Sequence, residues 1–418
     1  MNARETALEL LNRWSRSRAL ANEMLERQLA AVPLPAVERA LATELFYGCL
    51  RNKLALEFLL AQLAAKRPRA IVANILKLGL YQIVFMRTPP YAAVHETVEL
   101  AKEHVSPAEA NFVNAVLRRA DPAVLQKAEP WVFYSHPKWL WERWTARWGQ
   151  QYAMSLCEWN NTPPPVYVRL NTLKATYSGT GVPPVAGLQR DGRDARPTTA
   201  TVSEVEDPQK FFASDAWKRG AFYVQDPSTL IAVDVLDPQP GERVLDMCAA
   251  PGGKTTYIAQ KMANHGQIVA VDSSNARLAL VSENCKRLGV TIVETLTCDG
   301  TRPARRLQGQ QFDRLLVDAP CSNTGVMRRR PDLRWRIDEK EITRLAALQS
   351  KLLAAAAELT RPDGVLVYST CSLEPEENER VVEQFVGTYP HFLIETTRST
   401  FPPRDEMDGT FVARLRRR

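Results

Sequence analysis

The stretch Val244–Gln260, VLDMCAAPGGKTTYIAQ, decides how the chain is read. Its Gly253-Lys254-Thr255 satisfies the second half of the phosphate-loop pattern G-x-x-x-x-G-K-[ST], but the position of the first glycine holds Cys248. That glycine supplies a backbone curl closed to side chains, so a nucleotide-hydrolysing loop is not expected. The context still informs. Val244-Leu245-Asp246 reads as the end of a buried strand and Thr255 to Met262 as a helix. The small residues between them make a loop where backbone approaches a ligand closely. Strand, glycine loop and helix open a doubly wound sheet, whose ligands sit at the carboxyl ends of the strands. The bland alternative is a tight turn with no ligand.

Downstream, from about residue 236, strand-like runs follow in order: RVLDM, QIVAVD, TIVETLTCD, FDRLLVDAP, GVLVYSTC, HFLIET and TFVARL. Helical segments separate the first five, which predicts a parallel sheet. The last two lack a helix-length spacer and are expected to pair antiparallel at one edge.

Upstream, residues 1 to about 125 are helical by pattern. ERALATELFYGCLRNKLALEFLLAQL and AIVANILKLGLYQIVFM carry apolar residues at three- and four-residue spacing, and Pro89-Pro90 breaks the run. Ser106-Pro107-Ala108-Glu109 is a helix start with a capping box. WVFYSHPKWLWERWTARWG, from Trp131 to Gly149, holds five of the nine tryptophans. At helical spacing they are expected to pack domains together more than to stack on bases. PPPVYVRLNTLK then turns into a strand, and SGTGVPPVAGLQRDGRDARPTTAT, from 178 to 201, reads as a mobile loop. The division expected is 1–130, 131–235 and 236–418.

Composition narrows the class. The chain has 418 residues, 45% of them hydrophobic, so it is globular with room for two or three domains. No run of about 18 apolar residues predicts a membrane span, and MNARETALELLNRW reads as an amphipathic helix, not a signal peptide. Seven scattered cysteines without a C-x-x-C pair argue against a disulfide framework or a metal site, and for a reducing cytoplasm. A formal net charge of +7 suits a polyanionic partner.

The candidate site gathers at strand ends. Asp246, Asp272, Asp299 and Asp318 end or follow successive strands. A helix cap explains any one of them; four beside a glycine loop point to an adenosine-containing ligand, with Asp272 at the interval that reaches ribose hydroxyls and Asp299 placed for an adenine amino group. Cys321 follows the fourth strand and Cys371 the fifth, both among Ser and Thr, so two accessible thiols are expected in one cleft. Residue reasoning finds the pair and does not rank its members.

These motifs carry a resemblance. DMCAAPGGKTT, VDSSNARL, DAPCSNTGVMRRRPDLRW and YSTCSLEPEENE resemble those of the Sun-type RNA (cytosine-5) methyltransferases, the bacterial small-subunit rRNA enzymes in particular. ERALATELFYGCLRN, LGLYQI, YAAVHETVELAK and NFVNAVLRR resemble the NusB-type RNA-binding helical fold. Thr410 stands where an aromatic is usual, and the Gly/Pro/Arg loop stands where the family has a helix.

The resemblance implies an all-α NusB-like domain, a small and reduced RRM-like α+β domain, and a seven-stranded Rossmann-like class I methyltransferase sheet. It implies S-adenosyl-L-methionine held by Cys248, Ala249, Ala250, Pro251, Gly252, Gly253, Lys254, Asp272, Arg277, Asp299 and Asp318. Cys371 would be the nucleophile on carbon 6 of cytosine, Cys321 the group that assists release, and Asp318 the proton donor to ring nitrogen 3. Arg328, Arg329, Arg330, Arg334 and Trp335, directly after Cys321, are expected to contact RNA. Arg414, Arg416, Arg417 and Arg418 are read as a basic tail. A monomeric cytoplasmic enzyme acting on small-subunit (16S) rRNA is expected, without metal. The rivals are a phosphate-loop ATPase, a non-catalytic RNA-binding assembly factor, and the same chemistry on tRNA.

Overall fold

The computed structural model describes residues 1–174, 202–307 and 309–418. The loop read from 178 to 201, and with it the replacement of the family's helix, lies outside these. The chain forms two compact units, residues 1–163 with 327–336, and residues 164–326 with 337–418.

The first unit is helical, as the three- and four-residue spacing predicts. Helices span Ala3–Trp14, Ala21–Ala31, Ala36–Arg51, Lys53–Leu63, Ala70–Val84, Pro90–His104 and Pro107–Leu117. Local chemistry fixes their ends. Asn2 and Glu5 form a capping box on the first helix, and Ser106 and Glu109 one on the last. Helix Ala70–Val84 stops before the Pro89-Pro90 pair, and Pro90 opens the next. Their apolar stripes meet in one core that includes Leu8, Phe46, Leu56, Ile75 and Val113. Helices Lys138–Trp148 and Gln150–Asn161 complete the unit, with Trp141 and Trp144 buried in it.

The second unit carries two sheets. Strands β1 (Tyr167–Leu170), β2 (Val202–Glu204) and β3 (Phe222–Val224) form a small antiparallel sheet in the order β2-β1-β3. Two short helices, Pro208–Ala213 and Asp215–Lys218, lie between β2 and β3 in the chain, so this part is a small α+β layer.

The main sheet contains β4 (Arg243–Met247), β5 (Gln267–Asp272), β6 (Val293–Thr297), β7 (Phe312–Asp318), β8 (Thr360–Thr370), β9 (Phe392–Ser399) and β10 (Phe411–Arg417). Its order is β6-β5-β4-β7-β8-β10-β9. The first five are parallel, and β10 runs antiparallel between β8 and β9. Side-chain alternation divides the strands between two cores. Val244, Ile268 and Leu316 pack toward helices Ile231–Leu236, Gly253–Lys261 and Asn275–Leu288. Leu245, Val269 and Leu315 face the opposite layer, with helices Glu339–Leu359 and Glu379–Thr388.

The basic tail is corrected here. Arg414, Arg416 and Arg417 belong to β10, an internal strand. Arg414 and Arg416 each donate to Glu395 at 2.6 Å, and Arg417 donates to the Thr360 carbonyl. Sheet pairing and Glu395 occupy these groups.

Candidate active site

The strand order sets the site. Strands β5, β4, β7 and β8 are consecutive neighbours, so their carboxyl ends bring Asp272, Asp246, Asp318 and Cys371 to one edge of the sheet. Asp318 and Ser369 are in register, and the chain runs from there to Cys321 on one strand and Cys371 on the next.

After β4 the backbone turns through two left-handed residues, Cys248 at φ +64° and Gly252 at φ +101°. The loop is held at several points. Ala249 N donates to Val271 O at 2.8 Å, Ala250 N to Asp272 at 3.3 Å, and Arg277 reaches Ala250 O at 2.7 Å. Asp272 is buried, also accepts from Ser274 N at 3.0 Å and pairs with Arg277 at 3.4 Å. Asp299 is exposed and accepts from Thr301 N and Oγ1 at 2.9 and 2.8 Å, so one of its oxygens caps a turn.

Arg169, on β1, reaches this loop and is absent from the sequence reading. Buried between the rings of Tyr223 and Tyr257, it donates to Gly253 O at 2.9 Å and Thr256 Oγ1 at 3.0 Å. Burial draws its pKa down to about 10, which leaves it charged. The small sheet therefore braces the helix that follows the glycine loop.

Asp246 is wholly buried. Thr255 Oγ1 donates to its Oδ2 at 2.6 Å, and among the described residues its Oδ1 has no hydrogen-bond partner. Burial pushes its pKa up to about 7. Lys254 Nζ pairs with Asp318 at 2.8 Å. Burial pulls the Lys254 ammonium down, but Asp318, Cys371 and Asp246 outweigh it and hold the pKa above the ordinary lysine value. A buried carboxylate with one oxygen lacking a donor, flanked by two more carboxylates, suits a ligand that carries positive charge, as a sulfonium or ammonium does.

The two thiols meet. Cys321 Sγ and Cys371 Sγ are 3.2 Å apart. Their accessibility differs from expectation, because Cys321 is 8% exposed whereas Cys371 is half-buried. The hydrogen bond with Cys371, with burial second, raises the Cys321 pKa well above that of an ordinary thiol. Cys371 donates to Asn323 Oδ1 at 3.1 Å, and Asn323 Nδ2 donates to Cys321 O at 2.7 Å. Gly325 allows the closest approach: a Cβ there would lie 2.6 Å from Gly409 O and 2.8 Å from Cys371 O. Thr410 Oγ1 donates to Thr370 O at 2.9 Å.

Comparison with known proteins gives the family. Residues 233–416 match the model of the 16S rRNA methyltransferase RsmB/F family, 1–122 the NusB family, and 136–201 the ferredoxin-like domain of RsmF/B-like methyltransferases. A ribosomal RNA small subunit methyltransferase B from Klebsiella pneumoniae is 38% identical over 398 residues, 91% of this chain and 90% of the relative. The chain belongs to the RsmB/F methyltransferase family. A crystal structure of PH0851 superposes with TM-score 0.79 and 26% identity, covering 99% of this chain and 98% of that one. NSun6 from Pyrococcus horikoshii, solved with SFG, superposes with TM-score 0.56 and 25% identity, over 67% of this chain and 98% of that one.

For this RsmB/F-family chain, the expected RNA contact of Arg334 is corrected. The segment 327–336 belongs to the helical unit. Arg334 is fully buried and donates to Arg51 O, Ser135 O, Asn160 O and Asn161 Oδ1 at 3.3, 3.1, 3.0 and 2.8 Å. Arg51 and Asn160 end helices Ala36–Arg51 and Gln150–Asn161, where carbonyls lack intrahelical partners and the dipole is negative. Arg334 thus caps two helix ends and presents nothing to a phosphate. Trp335 donates to Leu50 O at 2.7 Å, with Lys53 over its ring at 5.0 Å. Arg328 lies over Trp159 and donates to Pro163 O at 2.8 Å. Arg329 and Arg330 are half-buried. Among the described residues no helix is long and apolar enough to cross a membrane.

Proposed function

We propose that this protein uses S-adenosyl-L-methionine to methylate carbon 5 of a cytosine in small-subunit (16S) rRNA, through a covalent bond between Cys371 and the base. The observation that carries the reading is the thiol pair, 3.2 Å apart on neighbouring strand ends, beside a lysine–carboxylate pair 2.8 Å apart.

Carbon 5 of cytosine is a weak nucleophile. A Cys371 thiolate adding to carbon 6 forms an S–C bond and moves the ring π pair to carbon 5, while the Lys254–Asp318 pair passes a proton to nitrogen 3 through Asp318. When bound, S-adenosyl-L-methionine supplies the methyl group to carbon 5. A base then takes the proton from carbon 5, the C–S bond breaks, thiolate leaves, and nitrogen 3 returns its proton to Asp318. Cys321 suits that last role. Its raised pKa keeps it protonated while Cys371 attacks, so it does not compete, and it must first yield that proton to the medium before it serves as the base. The more exposed Cys371 suits attack on an incoming base.

The cofactor would lie along Cys248–Lys254 with Asp272 and Arg277 at the ribose side, Asp299 toward the adenine, and Asp318 toward the methionine end. The acidic, donor-poor environment of Asp246 supports this, as does the likeness to NSun6 solved with SFG. In this reading a NusB-like helical part binds RNA, the small sheet braces the glycine loop, and the main sheet carries the catalysis. We place the enzyme in the cytoplasm as a monomer, with Arg329 and Arg330 as phosphate contacts.

A base inside a helix must be extruded to reach a thiol, so the target is an unpaired or flippable cytosine. The test is methyl transfer. Incubating the purified protein with labelled S-adenosyl-L-methionine and either 16S rRNA or bulk tRNA should leave 5-methylcytosine in the rRNA. Label in tRNA alone, or in a base other than cytosine, would overturn the assignment.

A further inference from the structure

Each of the two cysteines is followed by a serine, and both serines bind one buried carboxylate. Ser322 donates from its backbone N to Glu377 Oε1 at 2.9 Å and from its hydroxyl to Oε2. Ser372 Oγ donates to Oε2 at 2.5 Å, and Gln349 Nε2 to Oε1 at 3.0 Å. The two serine hydroxyls are themselves 3.0 Å apart. Glu377 is anchored in turn, because the Tyr368 hydroxyl on β8 donates to its backbone carbonyl at 2.5 Å.

This carboxylate is fully buried, and burial raises its pKa despite four donors. Its neighbour Glu376, by contrast, makes a surface pair with Arg380 at 3.1 Å. A buried carboxylate contributes little net stability over a well-packed apolar group, so stability alone does not account for it. Its place does. The cysteines come from separate strand ends, and Glu377 joins the residue after one to the residue after the other.

We infer that Glu377 is a positioning residue that sets the separation and mutual direction of the Cys321 and Cys371 thiols. The inference rests on the proposed reaction for its purpose and on geometry for its existence. In that reaction the sulfurs act in turn on adjacent ring atoms, carbon 6 and carbon 5. A misplacement of about 1 Å can cost on the order of a hundredfold in rate. Glu377→Gln preserves volume but puts an NH2 where an acceptor was. The Ser322 backbone N–H cannot reverse, so the new amide oxygen must face it. Its NH2 then faces both serine hydroxyls, which have to turn round and give up donation.

The test reads thiol geometry without RNA. A diazene oxidant converts two thiols into a disulfide while it is reduced to the hydrazine, and the rate depends on how the sulfurs face each other. Iodoacetamide labelling of Cys371, mapped by mass spectrometry, reports one thiol alone. Glu377→Gln should slow Cys321–Cys371 disulfide formation about tenfold relative to alkylation, leave Tm and S-adenosyl-L-methionine affinity unchanged, and lower single-turnover methyl transfer by a similar factor. Ser322→Ala, which removes one hydroxyl tether, should shift the ratio the same way, and it serves if the glutamine variant melts early. Wild-type ratios in both variants would overturn the inference. A wild-type protein that forms the disulfide readily but methylates no rRNA would sink the proposed function and leave the positioning role standing.

Discussion

Asp246 shows how a single side chain links stability to ligand. The unfolded carboxyl titrates near 3.8, and the folded one, desolvated, near 7. Between those values the folded protein holds a proton that the unfolded chain has released. Stability therefore falls as pH rises through that window, and the penalty is complete above it. Asp246→Asn removes the penalty. Without ligand, the variant should be more stable than the parent at pH about 8, on the order of 2–4 kcal/mol, and equal to it near pH about 4. It should also bind S-adenosyl-L-methionine more weakly, since the negative charge that welcomes a cation is gone. Thermal melts across pH with and without the ligand check both; a variant less stable at high pH would contradict this account of the site. Sequence showed this aspartate as one of four at strand ends. That its Oδ1 lacks a donor depends on the packing of the loop and helix above it. Asn323, which touches both cysteines' loops, gave no signal, because an Asn after Cys-Ser reads as an ordinary turn residue.

Elements explain where reading by pattern succeeded and where charge misled it. Strands β4, β5, β7 and β8 were legible because buried parallel strands are short apolar runs bounded by turn residues, and their ends placed the acids and thiols correctly on one edge. The run RRRPDLRW misled at Arg334 because arginines beside a candidate site read as phosphate contacts. Nothing local shows that two helices elsewhere end with carbonyls awaiting a donor, which Arg334 supplies. In the same segment Asp332 accepts from Ala21 N at 3.0 Å, at the start of helix Ala21–Ala31, whose own N-cap, Leu20, offers no side-chain bond. Arg334→Ala should therefore lower stability by about 2–4 kcal/mol, since several carbonyls lose a charged donor at once. RNA affinity in that variant should keep its salt dependence. An unchanged Tm, with the slope of log K against log salt reduced by about one, would instead make Arg334 a phosphate contact. The C-terminal arginines misled in the same way: β10, legible as a strand in TFVARL, lies between β8 and β9, and its arginines find Glu395 and strand carbonyls.

Over the whole molecule, a chain of net charge +7 combines a helical NusB-like unit with a methyltransferase sheet. The helical unit has its own core, running from Ala7 to Leu125. We expect a fragment of residues 1 to about 125, which holds that core, to fold and to bind rRNA with an affinity that falls steeply with salt, as phosphate-directed binding does. Filter binding at two salt concentrations reads this, and no binding at low salt would reduce the unit to a scaffold. The central claim is that Cys371 attacks and Cys321 releases. It is tested most directly by incubating Cys321→Ala, Cys371→Ala and the double variant with substrate rRNA and S-adenosyl-L-methionine, then running denaturing gels. Cys321→Ala should attack and transfer the methyl group but stall, because carbon 5 keeps its proton, and so should run as a retarded protein–RNA band. Cys371→Ala and the double variant should give no such band. A retarded band from Cys371→Ala alone would exchange the roles, and methylation without any band in both single variants would show that neither thiol carries the reaction.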